Sequence, residues 1–219
     1  MSDTPQVDLY FSFRSPFSYL AIGRLAEWAV SEDIDLKLRP VLPLAIRTPD
    51  FFQRIDPLMP GYVRRDLERL SAFHNIPFRW AQPDPVVMQF NPIRISAKQL
   101  YIHRLTLLGV AAARQGRGVA FARHVSHLIW SGCSADWTAG DQLARAVAQA
   151  GLDLAALDQE VQRDRAALEE ILTRNQEAHR ASGHWGVPCM VYRDEPFFGQ
   201  DRIELLQWRV AENRAGATD

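Results

Sequence analysis

Phe11-Ser12-Phe13-Arg14-Ser15-Pro16-Phe17-Ser18-Tyr19-Leu20-Ala21 is the stretch on which the reading of the fold turns. Just ahead of it, Val7-Asp8-Leu9-Tyr10-Phe11 is short, largely apolar and rich in strand formers, whereas apolar residues recur at helical spacing from Ser18 to Val30. A strand over residues 7–12 is therefore expected to run into a helix over residues 16–30, with Leu20, Leu25 and Trp28 facing inward. Pro16 suits the first helical turn, where its missing N–H has no intrahelical acceptor to lose, and the Ser15 hydroxyl can cap the turn. Taken alone, a Ser-Pro helix start is most often a cap and nothing more.

A second signal stands far along the chain, in Gly186-Val187-Pro188-Cys189-Met190-Val191-Tyr192. Proline removes a ladder donor from a sheet and is normally kept to the first residue or an edge, so a Val-Pro opening an apolar strand is unusual. A cis Val187-Pro188 bond would turn the chain sharply and leave the backbone groups of Val187 unpaired. A strand-to-helix Ser-x-x-Ser together with such a proline is the layout of a thioredoxin-fold active site. The pair is much more specific than either half.

Between these signals, Leu36-Lys37-Leu38-Arg39-Pro40-Val41-Leu42 opens with alternation and reads as a second strand, Pro40 arguing for an edge or a bend. A parallel return after the first helix makes a right-handed βαβ unit. From residue 43 to 179 strand signals mostly disappear. Pro49, Pro57, Pro60, Pro77, Pro83, Pro85 and Pro92 break the first part into short helices and turns, with residues 62–73 the clearest helical piece. Residues 96–115, 119–130, 139–150 and 158–181 each carry helical spacing, Gly151 stops one of these helices, and Asp153 is a candidate cap for a short following turn. Met190-Val191-Tyr192 and Pro196-Phe197-Phe198 bracket Arg193-Asp194-Glu195 as a hairpin, residues 201–212 read as a closing helix, and residues 213–219 as a frayed tail. The expected fold is α/β: a thioredoxin-like sheet domain from residues 1–42 and 183–219, carrying an all-helical insertion over residues 43–182.

Composition narrows the function classes. A chain of 219 residues with 47% hydrophobic content can bury a substantial core. Lys+Arg of 25 against Asp+Glu of 26, with no long run of either sign, suggests neither nucleic-acid nor anionic-membrane binding and fits a small-molecule site better. Cys133 and Cys189 form no Cys-x-x-Cys, so neither a dithiol centre nor a cysteine-rich metal site is read from them. His124 and His127 at i, i+3 lack a third ligand, and no metal is assigned. Met1-Ser2-Asp3-Thr4-Pro5-Gln6 does not resemble a secretory signal and no apolar run approaches membrane-spanning length, so a cytoplasmic protein is expected.

The opening stretch, Gly186-Val187-Pro188 and Phe197-Phe198-Gly199-Gln200-Asp201-Arg202 together resemble the 2-hydroxychromene-2-carboxylate isomerases and kappa-class glutathione transferases, relatives of the disulfide oxidoreductase DsbA. In redox members of that superfamily the positions of Ser15 and Ser18 hold the nucleophilic cysteine and its resolving partner. Serine at both removes disulfide exchange, because a hydroxyl cannot form the mixed disulfide. The resemblance implies instead that the reactive sulfur belongs to bound glutathione and that Ser15 donates a hydrogen bond to it. A predicted helix N-terminus is where such an anion is favoured. The resemblance further implies that the main chain of Val187, beside Pro188, receives the cysteinyl part, and that Gln200 and Asp201 receive the γ-glutamyl end; Asp201 could equally be a helix cap.

Members of the family often carry a lysine and an asparagine shortly after the second strand, but here the chain reads Leu44-Ala45-Ile46-Arg47-Thr48-Pro49-Asp50, so no residue is carried over there. Arg47 could replace the lysine's charge. Tyr10, Phe13, Phe17, Tyr19, Trp80 and Phe90 are candidates to line an apolar pocket above Ser15, although most large aromatics pack in cores. Cys189 is expected near the site as a small buried residue.

By resemblance, the leading function is glutathione-dependent cis-trans isomerisation of an aromatic chromene-carboxylate or benzylidenepyruvate type substrate by a homodimer. The thiolate adds reversibly to the conjugated substrate, a bond made single rotates, and the thiolate leaves. The alternatives are a kappa-like transferase, which consumes glutathione, and a non-catalytic binding module on the same scaffold. A serine nucleophile would want a base, and no motif ties His74, His103, His124, His127, His179 or His184 to Ser15.

Overall fold

The computed structural model describes residues 4–90 and 93–216; Pro92, the side chain of Phe90 and residues 217–219 lie outside the described residues. β1 (Gln6–Phe11) turns at Ser12–Arg14 into α1 (Pro16–Ser31) and returns as β2 (Asp35–Pro40). β1 and β2 pair in parallel, with Val7 opposite Leu36 and Leu9 opposite Leu38. Val7, Leu9, Tyr10 and Phe11 are all buried, as a strand covered on both faces requires. Leu20, Leu25 and Trp28 of α1 are buried as expected.

The sheet is completed by β5 (Cys189–Tyr192) and β6 (Glu195–Phe198), giving the order β2-β1-β5-β6 among the described residues. β5 runs antiparallel to β1, with Leu9 opposite Met190, and β6 antiparallel to β5. Arg193 and Asp194 both take positive φ, at 48° and 64°, which suits the tight turn between twisted antiparallel strands. β2 is an edge strand and Pro40 is its last residue, where the missing N–H interrupts no interior ladder.

Between β2 and β5 the chain forms α2 (Leu44–Arg47), α3 (Phe51–Arg54), α4 (Met59–His74), β3 (Met88–Phe90), β4 (Ile93–Ile95), α5 (Ile102–Arg114), α6 (Gly118–Trp130), α7 (Gln142–Gln149), α8 (Leu154–Arg163) and α9 (Arg165–Ala181). The expectation of an all-helical insertion is corrected at one place, the antiparallel pair β3–β4. The helix expected from Ser96 starts at Ile102 because the Gln99 carboxamide ties the preceding turn: it accepts from Val87 N–H at 2.8 Å and donates to Ser96 O at 2.7 Å. The single helix expected over residues 158–181 is two, divided at Asp164, whose carboxylate takes Arg114 and Arg163. Asp153 caps a full helix, accepting Ala156 N–H at 2.7 Å, where only a short turn was expected.

After β6, a 3₁₀ turn over Gln200–Arg202 leads into α10 (Ile203–Ala215), so the last helix runs past the expected start of a tail at residue 213. The core joins sheet and insertion through rings: Phe13 meets Phe11 edge-on at 5.2 Å and Phe121 of α6 at 5.6 Å. Gly109 of α5 lies so close that a Cβ there would stand 2.7 Å from the Phe13 ring. Among the described residues no helix is long and apolar enough to cross a membrane.

Candidate functional site at the start of the first helix

Ser15 is the N-cap of α1, extended at φ −98° and ψ 109°, with Pro16 at the first helical position. Its Oγ accepts Ser18 N–H at 3.1 Å and donates to Val187 O at 3.3 Å, a contact across 172 residues of chain. The Val187-Pro188 bond is cis. Val187 N–H has no acceptor among the described residues, so the Ser15–Val187 pair offers one free donor and one weakly held acceptor side by side. Ser18 is wholly buried and its hydroxyl has no partner among the described residues.

The insertion grips the loop that presents Ser15. The Trp130 indole donates to Phe13 O at 3.0 Å, and the Arg14 guanidinium meets Asp84 through both forks, Nε to Oδ1 at 3.1 Å and Nη2 to Oδ2 at 3.0 Å. Asp84 also accepts Val86 N–H at 2.8 Å. Its loop is pinned by the Trp137 indole, which donates to Pro83 O at 2.8 Å. A bidentate, partly buried pair of this kind holds direction as well as distance.

The last segment reaches the same place through its backbone: Gly199 N–H donates to Pro188 O at 2.9 Å, and Gly199 sits at φ 108°, a conformation that favours glycine. The expected cofactor residues beside it differ in setting. Gln200 is buried, with its main-chain O and Oε1 accepting from Arg24 Nη1 at 3.0 and 2.8 Å. Asp201 is exposed, pairs with Arg202 at 2.8 Å, and caps no helix. Neither Gln200 N–H nor Asp201 N–H has an acceptor among the described residues. Ser15 and Val187 are thus brought into direct contact beside Pro188, and Gly199 links Pro188 to the segment bearing Gln200 and Asp201.

Two residues before Val187, Trp185 joins Leu44, Ile46 and Phe51 in walling a cleft of about 670 Å³ that the sequence did not announce. A run of rings and one cation leads from it toward Ser15: Trp185 lies 5.3 Å from Phe51, Phe51 lies 5.3 Å from Phe52, and Arg14 stands 5.5 Å over Phe52. Arg47 also lines the cleft and donates to two neutral carbonyls, Leu42 O at 2.7 Å and Trp185 O at 2.9 Å. Glu177 and Arg180 line the same cleft, but no ion pair joins Arg47 to a carboxylate among the described residues, and burial, then Arg180, pull its pKa below the ordinary value. A half-buried cation held by neutral groups is suited to an anionic ligand.

Of the expected aromatic lining, Tyr10, Phe13 and Tyr19 are core, Phe17 packs partly against it, and Trp80 is largely exposed. The ring wall that the structure does place there, Phe51 and Trp185, was not singled out from sequence. The one available signal was the position of Trp185 two residues before Val187.

No histidine reaches the Ser15 hydroxyl. His179 is wholly buried and stacks on Tyr10 at 4.6 Å, and among the described residues neither of its ring nitrogens has a hydrogen-bond partner; the nearby Gly186 N–H donates instead to His184 Nδ1 at 2.9 Å. Burial first, and then Arg47, push its pKa down to about 4. Cys189 is buried as expected and burial pushes its thiol up to about 12, so it stays protonated at neutral pH. Among the described residues no three His, Cys, Asp or Glu side chains gather as a metal-holding group.

Residues 6–211 match the family described as the DSBA-like thioredoxin domain. The chain is 29% identical over 208 residues to a 2-hydroxychromene-2-carboxylate isomerase of Sphingobium xenophagum, covering 93% of this chain and 97% of that one. A solved 2-hydroxychromene-2-carboxylate isomerase superposes with a TM-score of 0.71 at 23% identity, covering 98% of each chain. A cytosolic disulfide reductase, DsbM from Pseudomonas aeruginosa, solved with glutathione, shares the fold with a TM-score of 0.55 at 13% identity over 87% of each chain.

Proposed function

The chain belongs to the DSBA-like thioredoxin domain family, and from that premise we propose that it is a glutathione-dependent cis-trans isomerase acting on an aromatic carboxylate of the chromene-carboxylate or benzylidenepyruvate type. The observation that carries the reading is the serine at both redox positions, with the Ser15 hydroxyl shared between the first turn of α1 and Val187 O beside Pro188. Similarity to the Sphingobium isomerase along nearly the whole chain supports the reaction class, and the glutathione-bound DsbM supports the cofactor class.

The residues present fit glutathione. The unpartnered Val187 N–H and its carbonyl are the donor and acceptor that an extended cysteinyl backbone would take. Once Val187 O is so engaged, the Ser15 proton is released from its 3.3 Å contact and can be donated to the sulfur. Asp201, whose carboxylate is exposed, would hold the γ-glutamyl ammonium, and the free N–H groups of Gln200 and Asp201 its carboxylate. Gln200's side chain, committed to Arg24, would brace that turn rather than touch the ligand.

Glutathione, when bound, supplies a thiolate that adds reversibly to the conjugated substrate and is regenerated. The protein's part is to make that thiolate common and to aim the substrate. A charge-assisted hydrogen bond from Ser15, with the start of α1 behind it, is worth about 1.5 to 3 kcal/mol, enough to bring a thiol from about 8.5 to about 7. In the cleft, Arg47 would hold the substrate carboxylate while Phe51 and Trp185 flank its ring. On the same resemblance we assign a cytoplasmic homodimer.

Calorimetry with glutathione, joined to the ultraviolet thiolate signal across pH, tests this for wild type and Ser15→Ala. Wild type should bind and lower the thiol pKa, and Ser15→Ala should bind while losing most of that shift. Product analysis should show isomer formed with glutathione undiminished; accumulation of a conjugate would make the protein a transferase. No glutathione binding by the wild type at millimolar concentration would refute both.

A further inference from the structure

A second cleft, of about 590 Å³, opens beside the middle turns of α1, between the end of α4 and the outer face of α6. Two guanidinium groups, Arg24 and Arg123, and three imidazoles, His74, His124 and His127, line it. They arrive from three separate helices, so the convergence is not the solvated face of one element.

The charges there are poorly balanced. Arg123 pairs with Glu27 at 2.9 Å, but both side chains are about half exposed or more and the pair is screened. Arg24 donates to Gln200 O and Oε1, both neutral, with Glu204 of α10 within electrostatic reach but not in contact. Glu27 is the one carboxylate lining the cleft among the described residues. The helix floor of the cleft is open at Gly23. Gly23 lies in the middle of α1, where glycine is disfavoured against alanine, yet a Cβ there would meet nothing within 4 Å. The missing side chain leaves the floor of the cleft open at that point.

We propose that this cleft binds a compact tetrahedral dianion, a phosphoryl group carried as free phosphate or as a phosphate monoester, with Arg24 and Arg123 supplying charge and the three imidazoles supplying donors. A planar carboxylate would be met by one guanidinium fork, whereas donors spread around the cleft from α1, α4 and α6 suit an oxyanion approached from several sides. Occupancy is linked to protons. Burial lowers all three imidazole pKa values first; Arg24 then lowers that of His74, and Arg123 those of His124 and His127. Gln200 and Glu204 act in the opposite sense on His74, as Gln149 does on His124, while His127 adds to the lowering at His124. A bound dianion offsets the guanidinium charges and draws protons onto the imidazoles. The volume exceeds that of a bare phosphate, and Ile22, Ile76 and Pro77 supply an apolar side on which an ester group can rest.

Sulfate is the first probe, because it stays dianionic from pH 6 to 8 and any pH dependence then belongs to the protein. Calorimetry on the full chain should find one site per chain, about tenfold tighter at pH 6 than at pH 8, with shifted Cε1–H signals from His74, His124 and His127. Arg123→Gln combined with His127→Gln should weaken sulfate about tenfold, and Gly23→Leu should block it by filling the floor. Ser15→Ala should bind sulfate like wild type, and the cleft variants should keep wild-type glutathione binding, so this site stands or falls apart from the Ser15 site. Phenyl phosphate binding more tightly than inorganic phosphate at pH 7.5 assigns an ester as the ligand, and equal binding assigns free phosphate. Absence of sulfate binding at pH 6, or equal affinity in the Arg123→Gln, His127→Gln chain, overturns the proposal.

Discussion

Replacing His179 by phenylalanine should flatten the acid limb of the stability curve. The imidazole is sealed in the core against Tyr10 and its pKa falls from 6.5 to about 4 under burial and the Arg47 charge. Because the shift is downward, the unfolded chain takes up the proton before the folded one does. The stability tied to neutral His179 is therefore whole above about pH 6.5 and drains away as pH falls toward 4. Linkage between those two values gives a loss of about 2 kcal/mol at pH 5 and a limit of about 3 kcal/mol below pH 4. Phenylalanine keeps the stacked ring, carries no proton, and removes two nitrogens that have no partner. Urea unfolding of both proteins from pH 7.5 to 4.5 isolates the effect, since carboxylates titrate in both and cancel in the difference. The variant should gain about 2 kcal/mol on the wild type between pH 7.5 and 5. Parallel curves, or a His179 NMR signal titrating near 6.5, would show that the buried imidazole is not the group responsible.

Gly109→Ala should lower the thermal midpoint by about 5 °C, because its methyl would meet a Phe13 ring already held edge-on by Phe11 and Phe121; overpacking of this kind costs about 1 to 3 kcal/mol. Asp84→Ala leaves the Arg14 guanidinium without its carboxylate and Val86 N–H without its acceptor, and should cost about 2 kcal/mol in urea, with Asp84→Asn milder because it keeps an acceptor for Val86. Arg47→Met should raise KM for an aromatic carboxylate about tenfold with little change in kcat, as loss of uniform binding does, and an unchanged KM would remove Arg47 from substrate recognition.

What could be read from sequence is what proline and strand-to-helix chemistry dictate locally. Ser15-Pro16 sets a capped helix start and Val187-Pro188 a turn before a strand, so the contact between two segments 172 residues apart followed from fold logic rather than from any local signal. The parts that escaped reading depend on partners with no local signature. Nothing near Arg14 points to Asp84, 70 residues away, and nothing near Arg47 points to the Trp185 carbonyl it grips, 138 residues away. The helix break falls at Asp164, whose carboxylate is taken by Arg114 from 50 residues away and by Arg163, at a place where periodicity alone runs one helix straight through. Asp201, equally eligible as a cap, turns to Arg202 because a 3₁₀ turn intervenes before α10.

The wide separation of Ser15 from Val187 has a consequence for how the protein comes into being. During synthesis the helix bearing Ser15 leaves the ribosome first, and β5, which must pair against β1, comes 172 or so residues later. At about 5 to 20 residues per second, the nascent chain spends roughly 10 to 30 s with β1 lacking a neighbour on one side. Over that interval the helices between β2 and β5 are the available cover for the apolar face of β1. The Ser15–Val187 contact cannot form until the last strands arrive, so a chain stalled before Val187 lacks the candidate site altogether rather than holding a weakened one.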